Sequence, residues 1–445
     1  MKLETPQILL VNPWIHDFAA YDFWAKPMGI LTIASILRQH GFKVNYIDCT
    51  NRFHPNGKII SSDFKYGRGS YLKTPIQKPK GMDDVPRTFS RYGIKPEWFK
   101  EDLNKIPKPD LILVTSIMSY WYSGVKETID IIKEIFSNTK IILGGIYATL
   151  CHEHAKKNIG ADEVISGPCE KNIISIVEKH TNFSANMCFN PLDLNTYPYP
   201  AFDLQQKISY VPLITLRGCP FSCPYCASNL LSPKLMSRAY DSILEEIIYW
   251  HKKYDIIDFV FYDDALLFDA ENRIIPLLEK VIAQKLPIRF HTPNAIHIKW
   301  ITKEIANLFF KANFKTIRLG LETAINDERI DIKVKENEFD KASSHLLSAG
   351  FTKEEVGAYI LAGLPYQSIE SIKRSVEIVK KNCITPIPAY YTPIPNTELW
   401  KDAVSSSRYD LESDPIFTNN AILPCRQDKF SWKIITDIKV LAHDP

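Results

Sequence analysis

At 445 residues the chain is long for one domain and natural for two, and 45% hydrophobic with 24% charged residues is ordinary globular composition. A net charge of +3 points to neither a nucleic-acid nor an acidic partner, and no apolar stretch is long enough to span a bilayer. Met1-Lys-Leu-Glu-Thr-Pro-Gln7 lacks the apolar core of a signal peptide, and six of the nine cysteines are scattered, so the expectation is a cytoplasmic protein without disulfides. Ile8-Leu-Leu-Val11, ending at Asn12-Pro13, reads as a buried parallel strand entering a loop. Ile30, Ile33, Ala34 and Leu37 at helical spacing predict a helix over 29–39, stopped by Gly41. Strands are predicted over 43–48, 111–116, 141–145 and 163–166, with a helix over 124–136. The alternation predicts a doubly wound, Rossmann-like α/β domain over 1–190.

That domain carries an insertion at about 51–109, rich in Lys, Arg, Gly, Pro and Tyr, as in Phe64-Lys-Tyr-Gly-Arg-Gly-Ser-Tyr71. A structureless loop of this length is rare in a compact domain, so it reads as a cap, as substrate-binding material or as a solvated excursion. Residues 191–208 begin Pro191-Leu-Asp-Leu-Asn-Thr-Tyr-Pro-Tyr-Pro200 and read as a semi-rigid linker. Beyond it, strands are predicted over 213–216, 258–262, 288–291, 316–319, 356–361 and 387–391. Helices are predicted over 241–254, 272–284, 302–312, 338–349 and 368–381. Six strand-helix units fall two short of a closed eight-unit barrel and predict a partial (β/α)6 barrel over 209–396, with its chemistry at the C-terminal strand ends. Residues 397–445 form a C-terminal extension.

Cys219, Cys223 and Cys226 stand in Arg217-Gly-Cys-Pro-Phe-Ser-Cys-Pro-Tyr-Cys-Ala-Ser228. Thiolates at C-x3-C-x2-C hold three irons of a 4Fe-4S cluster and leave the fourth open, whereas a ferredoxin or a structural zinc site would add a fourth ligand. This spacing after an apolar strand resembles the radical S-adenosylmethionine (SAM) superfamily. Phe261-Tyr-Asp-Asp264 falls where that family binds the SAM amino group, which implicates Asp263 or Asp264; either could instead cap the next helix. Ile317-Arg-Leu-Gly-Leu-Glu-Thr323 matches a strand ending at which Arg318 would offer its planar fork to the SAM carboxylate and Glu322 would meet the amino group or ribose. Val356-Gly-Ala-Tyr-Ile-Leu-Ala-Gly-Leu-Pro365, with Ile360, resembles the segment along adenine, although its glycines also suit plain strand packing. Tyr225 corresponds to an aromatic near adenine, and Tyr391-Thr-Pro-Ile-Pro-Asn-Thr397 resembles the sixth-strand ending. His291, Asn294 and His297 would lie at the mouth, as substrate contacts or as satisfied loop residues.

The N-terminal domain resembles the cobalamin-binding domain that precedes many radical SAM enzymes. The resemblance rests on Leu10-Val-Asn-Pro-Trp14, Lys26-Pro-Met-Gly-Ile-Leu31, Ser116-Ile-Met-Ser-Tyr-Trp121, Gly144-Gly-Ile-Tyr-Ala-Thr149 and Gly160-Ala-Asp-Glu-Val-Ile-Ser-Gly167. It implies corrinoid contacts from Pro13, Lys26, Pro27, Ser116, Met118, Ser119, Tyr120, Trp121, Gly144, Gly145 and Thr149. Gly144-Gly145 would let the nucleotide tail approach the backbone, with Gly145 against the tail. Ser116, Ser119 and Thr149 would bond phosphate and amide groups, aided by helix N-termini. Asp-x-His-x-x-Gly, whose His ligates cobalt in mutases and methionine synthase, is absent, and His16-Asp17 has the wrong spacing. Met118, Tyr120 or Trp121 would then face the lower side of the ring. Cys151-His-Glu-His154 has no second cluster nearby to complete a metal site.

Together the resemblances imply a cobalamin-dependent radical SAM enzyme with a 4Fe-4S cluster, SAM and cobalamin as cofactors. Its expected activity is C-methylation of an unactivated carbon through a 5′-deoxyadenosyl radical and methylcobalamin. Its partners would be a small-molecule, lipid or peptide substrate and an external electron donor such as ferredoxin or flavodoxin, with no nucleic acid. Other readings are a non-methylating rearrangement or cyclisation, and a degenerate cobalamin domain. A methylthiotransferase would need a nucleic-acid-binding module, for which the residues after Thr397 are too short and too little basic. A corrinoid or iron-sulfur sensor would not need Asp263, Arg318 and Glu322.

Overall fold

The computed structural model describes residues 5–57, 65–181, 183–426 and 432–443; the expectations that touch residues 1–4, 58–64 and 427–431 lie outside these. Contacts divide the chain into two compact units, Met1–Ser209 with Glu412–Thr418, and Tyr210–Leu411 with Asn419–Pro445.

The first unit contains β1 (Gln7–Asn12), β2 (Ile15–Asp17), β3 (Lys43–Asp48), β4 (Lys73–Pro75), β5 (Ser90–Tyr92), β6 (Leu111–Val114), β7 (Lys140–Leu143) and β8 (Glu163–Val164). Five of these form a parallel sheet in the order β3-β1-β6-β7-β8. Ile8, Leu9, Leu10, Leu111 and Ile112 are fully buried, as expected of strands covered on both faces. Strand order reverses between β1 and β6, and open parallel sheets form a crevice beyond the strand ends at such a point.

The insertion is not a structureless excursion. β4 and β5 pair antiparallel with each other and β5 with β2, giving a small sheet in the order β2-β5-β4. Helix Pro96–Lys105 follows, with Pro at its start, Glu97 in its first turn and Lys105 in its last. It drives Phe99 and Leu103 into a core shared with Trp14, Ile112 and Ile129, so this stretch is the crossover into β6. Part of the C-terminal extension also belongs to this unit: Asp414 accepts a hydrogen bond from the Tyr122 hydroxyl at 2.8 Å.

The second unit contains β9 (Val211–Leu213), β10 (Leu216–Arg217), β11 (Met236–Ser237), β12 (Asp258–Phe261), β13 (Arg289–His291), β14 (Phe314–Glu322), β15 (Val356–Ala362) and β16 (Thr385–Tyr390). Its main sheet is parallel and follows chain order, β9-β12-β13-β14-β15-β16. Phe261 stacks with Phe290 at 5.2 Å and Phe314 with Phe309 at 4.1 Å in its core. The strand predicted over 213–216 is split: β9 ends at Leu213, and β10 pairs antiparallel with β11 instead. The chain ends in helix Trp432–His443, and no helix among the described residues is long and apolar enough to cross a membrane.

Candidate active site

The cysteine loop leaves β10 through Gly218, whose φ of +89° and approach to the Lys234 carbonyl (2.9 Å from an added Cβ) admit no side chain. Backbone bonds brace it: the Cys226 amide donates to Cys223 O at 3.0 Å and the Leu399 amide to Pro224 O at 2.9 Å. The Asn229 side chain donates to Phe221 O at 3.1 Å. Cys219 and Cys223 are half-buried and Cys226 is exposed. Burial pushes the Cys223 thiol up to about 11 and Cys219 upward too, with the Lys333 charge opposing both, so metal loading releases protons. Among the described residues no three His, Cys, Asp or Glu side chains converge on a single-ion site. A four-iron cluster asks each thiolate to reach a different iron.

Behind the loop, the buried Asp263 accepts hydrogen bonds from the amide and hydroxyl of Thr215 and from the Leu216 amide. The equally buried Arg273 guanidinium lies 3.3 Å away. These bonds take Thr215 and Leu216 out of β9 and so break the strand. Asp264 is half-buried and hydrogen-bonds Ser228, with burial raising its carboxyl.

At the far end of β14 the register with β15 slips between Gly320 and Glu322, and Glu322 adopts φ +65°. Lys333 Nζ donates to Glu322 Oε1 at 2.7 Å and lies 5.4 Å from the Tyr225 ring centroid. The Tyr225 hydroxyl reaches Asp331 at 3.4 Å, and Arg329 pairs with Asp331 at 3.3 Å. His297 is buried and stacks on Phe221 at 4.8 Å, with Nδ1 unpartnered. Burial, then Lys333 and Lys299, hold its ring down to about 4, so it is neutral at neutral pH.

The first unit has its own cavity of about 170 Å³ at the carboxyl ends of β6 and β7, lined by Gly29, Ile33, Thr115, Gly144, Ile165 and Gly167 among others. That is far more than one water needs. A Cβ placed on Gly29, Gly144 or Gly167 would meet nothing within 4 Å.

Against known proteins, the profile of the Radical SAM superfamily matches residues 213–379, all in the second unit. The second unit is a radical SAM enzyme domain. Its cofactors are accordingly a 4Fe-4S cluster and SAM. The chain is 23% identical over 348 residues to an uncharacterised methyltransferase, PH0819, of Pyrococcus horikoshii, covering 71% of this chain and 74% of the relative. It is 23% identical over 384 residues to the anaerobic magnesium-protoporphyrin IX monomethyl ester cyclase of Rubrivivax gelatinosus, covering 79% and 68%. In fold it is similar to the radical SAM methyltransferase TsrM of Kitasatospora setae, solved with cobalamin and a [4Fe-4S] cluster. The TM-score is 0.64 at 13% identity, over 90% of this chain and 78% of TsrM.

Within the radical SAM domain the structure gathers Tyr225, Asp264 and Glu322 around the cysteine loop, and Ile360 pairs with Glu322 across β14 and β15. The donor set fits a cluster and a cationic, zwitterionic ligand. Three expectations are corrected. The Asp263 carboxylate is fully buried and faces Thr215, Leu216 and Arg273 rather than the open side of the cysteine loop. The Arg318 guanidinium folds back onto the carbonyls of Ile317 (2.9 Å) and Glu355 (3.4 Å), toward the amino end of β15 and away from Glu322. His291 is a core residue, 2.9 Å from Asp258 and 3.2 Å from Thr316, rather than a mouth residue. Asn294 is exposed and donates to Tyr262 O at 2.8 Å, tying two strand ends together. Lys333, Asp331 and Arg329 were not foreseen.

In the first unit only Gly144 and Gly145 of the expected contacts line the cavity. A Cβ on Gly145 would lie 2.3 Å from Ser116 O, so the Ser116 backbone by itself already requires glycine there. The Ser116 hydroxyl donates to Gly144 O at 2.7 Å, and Thr149 Oγ1 donates to Gly145 O at 2.8 Å while accepting from the Gly167 amide at 2.9 Å. These hydroxyls shape the cavity floor instead of reaching into it. Ser119 faces Thr418 at 3.4 Å, the Trp121 indole donates to Asp17 at 2.7 Å, and Tyr120 is buried against the half-buried Trp121. Pro13 and Pro27 are buried and Met118 is half-buried. Lys26 lies 5.6 Å from the Phe202 ring, burial bringing its ammonium down to about 7. In the Cys151–His154 run, His154 bonds the Tyr147 hydroxyl at 2.7 Å and His152 the Ala148 carbonyl at 3.1 Å.

Proposed function

We propose that the protein is a cobalamin-dependent radical SAM C-methyltransferase acting on an unactivated carbon. On this reading the first unit is a Rossmann-like corrinoid-binding domain and the second an open partial barrel. The observation that carries it is the glycine-lined cavity of the first unit. It sits at the carboxyl ends of β6 and β7 of a parallel sheet, with room at Gly29, Gly144 and Gly167 for a ring to lie against bare backbone. The TsrM fold, with cobalamin in that protein, supports the same assignment. When bound, the cluster and SAM supply radical chemistry and the corrinoid carries the methyl group. The chain's part is to hold three irons on Cys219, Cys223 and Cys226, to seat SAM between Tyr225, Asp264 and Glu322, and to exclude water. Asn294, exposed at the strand ends, would meet substrate on this reading. Ferredoxin or flavodoxin would deliver the electron, and nine free cysteines suit the reducing cytoplasm. The similarity to an anaerobic cyclase supports a second reading, a ring-forming reaction with the same cofactors.

Gly144→Trp tests the assignment. Wild type supplied with cobalamin should show a corrinoid absorption spectrum, and the variant should lose it while still cleaving SAM. Wild type that takes up no corrinoid would leave a cobalamin-free radical enzyme. Methyl transfer also consumes SAM as methyl donor, so turnover should release S-adenosylhomocysteine beside 5′-deoxyadenosine; 5′-deoxyadenosine alone would favour cyclisation.

A further inference from the structure

The cavity of the first unit measures about 170 Å³, close to the roughly 150 Å³ of an aliphatic-lined cavity that admits a benzene ring. It suits a flat base of one or two fused rings and is too small for a corrin. If the ligand is a corrinoid, the part that enters is the base of its nucleotide tail. Glycine and aliphatic side chains make most of the lining, and Glu170 is its one charged group. Glu170 stands in the turn Gly167-Pro-Cys-Glu170, between β8 and helix Ile173–Thr181, and is 9% exposed. Two bonds fix that turn: the Gly167 amide donates to Thr149 Oγ1 at 2.9 Å, and the Asn172 amide to Cys169 O at 2.9 Å.

A carboxylate accepts hydrogen bonds and donates none, and its two oxygens offer about four acceptor sites, more than one partner within the protein fills. Against an apolar wall it rewards a base that carries an N–H and penalises one that presents only a bare lone pair. We propose that Glu170 selects the corrinoid by its lower base. The favoured ligand is a cobamide whose tail ends in adenine, with its amino group, over cobalamin, whose dimethylbenzimidazole has no N–H. Apolar burial alone would choose the other way, since two extra methyl groups favour cobalamin roughly 15-fold. A charge-assisted hydrogen bond favours adenine roughly 10- to 150-fold, and a carboxylate left facing a bare ring nitrogen adds to that. The net is a preference for adenine of roughly 10-fold. The proposal rests on the corrinoid reading of the first unit given above.

The test is a titration of the cluster-loaded full chain with cobalamin and with adeninylcobamide, followed by corrinoid absorption. It is run under anaerobic conditions at mildly alkaline pH, where neither base is protonated. Wild type should bind the adenine form roughly 10-fold more tightly. Glu170→Gln replaces one carboxylate oxygen by an amide N–H, which can donate to the bare nitrogen of dimethylbenzimidazole, so the preference should vanish or reverse. Equal affinities in wild type, or tighter cobalamin, overturn the proposal without recourse to any variant. A preference that survives in Glu170→Gln, or an equal loss of both ligands there, takes the selection away from Glu170 and overturns it as well. Wild type that binds neither corrinoid would instead sink the corrinoid reading itself.

Discussion

The cavity of the first unit is walled mostly by glycine and aliphatic side chains, with Glu170 as its one charged group, whereas the site beside the cysteine loop is walled by Glu322, Asp331, Lys333 and Tyr225. A wall with a single charged side chain leaves most of the selection of what enters to shape. Buried charges must be paired, and the second site pairs them internally. The same contrast governs mutation. In the first unit, damage should come from added volume at one glycine and not at its neighbour; in the second, from any unpaired charge.

Asp263→Asn should show the largest effect, because it removes the nearest counter-charge of the 3%-exposed Arg273. Breaking such a pair costs about 3–5 kcal/mol. Asp263 also fixes Thr215 and Leu216, which lead into the cysteine loop, so iron content after reconstitution should fall along with the unfolding midpoint. If stability stays at the wild-type level and only SAM affinity drops, Asp263 is a SAM ligand after all.

The adjacent glycines give the next sharpest contrast. Gly145 sits at φ +97° with Ser116 O 2.3 Å from an added Cβ, while a Cβ on Gly144 meets nothing within 4 Å. Gly145→Ala should cost about 2–4 kcal/mol, from a strained backbone and a main-chain clash, and Gly144→Ala less than about 0.5 kcal/mol. Urea unfolding of the two variants measures this, and a reversed order would break the account of the cavity floor.

The sequence made the two parallel sheets legible because their strands are short apolar runs of the kind buried on both faces, and the cysteine triad legible because cluster ligation fixes its spacing. Helix Pro96–Lys105 was hidden by its charge: only Trp98, Phe99 and Leu103 interrupt a run of polar residues. The break in the strand at Thr215 was hidden by distance, since its cause, Asp263, lies 48 residues on. Segment 329–335 was hidden by its own pattern. An Ile-Asp-Ile-Lys alternation suggests apolar residues inward, and the site inverts it because Glu322 and Tyr225 offer partners to charge. Arg318 misled for a related reason: the strand position fits a carboxylate ligand, but side-chain direction along β14 is set by the carbonyls it finds.

The smallest effect expected comes from a charged cluster away from the cysteine loop, and it separates buried charge as such from buried charge that serves a ligand. Asp258 meets His291 Nε2 at 2.9 Å and both Nε (2.8 Å) and a terminal nitrogen (2.7 Å) of Arg289. Burial alone would push its carboxyl up; the hydrogen bonds from His291 and Arg289 outweigh it and hold the group below its usual range. A carboxyl depressed by folding contributes fully above its unfolded value, near pH 4, and loses that contribution as pH falls through the folded value. Asp258→Asn should therefore cost about 1–3 kcal/mol at neutral pH, and the gap from wild type should narrow as the medium is acidified below about pH 4. SAM affinity should not change, because nothing in this cluster faces the cysteine loop. Urea unfolding of both proteins across that range reads the gap directly. One that widened on acidification would mean that His291 carries its charge unpaired, and would return it to the list of residues free to act on a substrate.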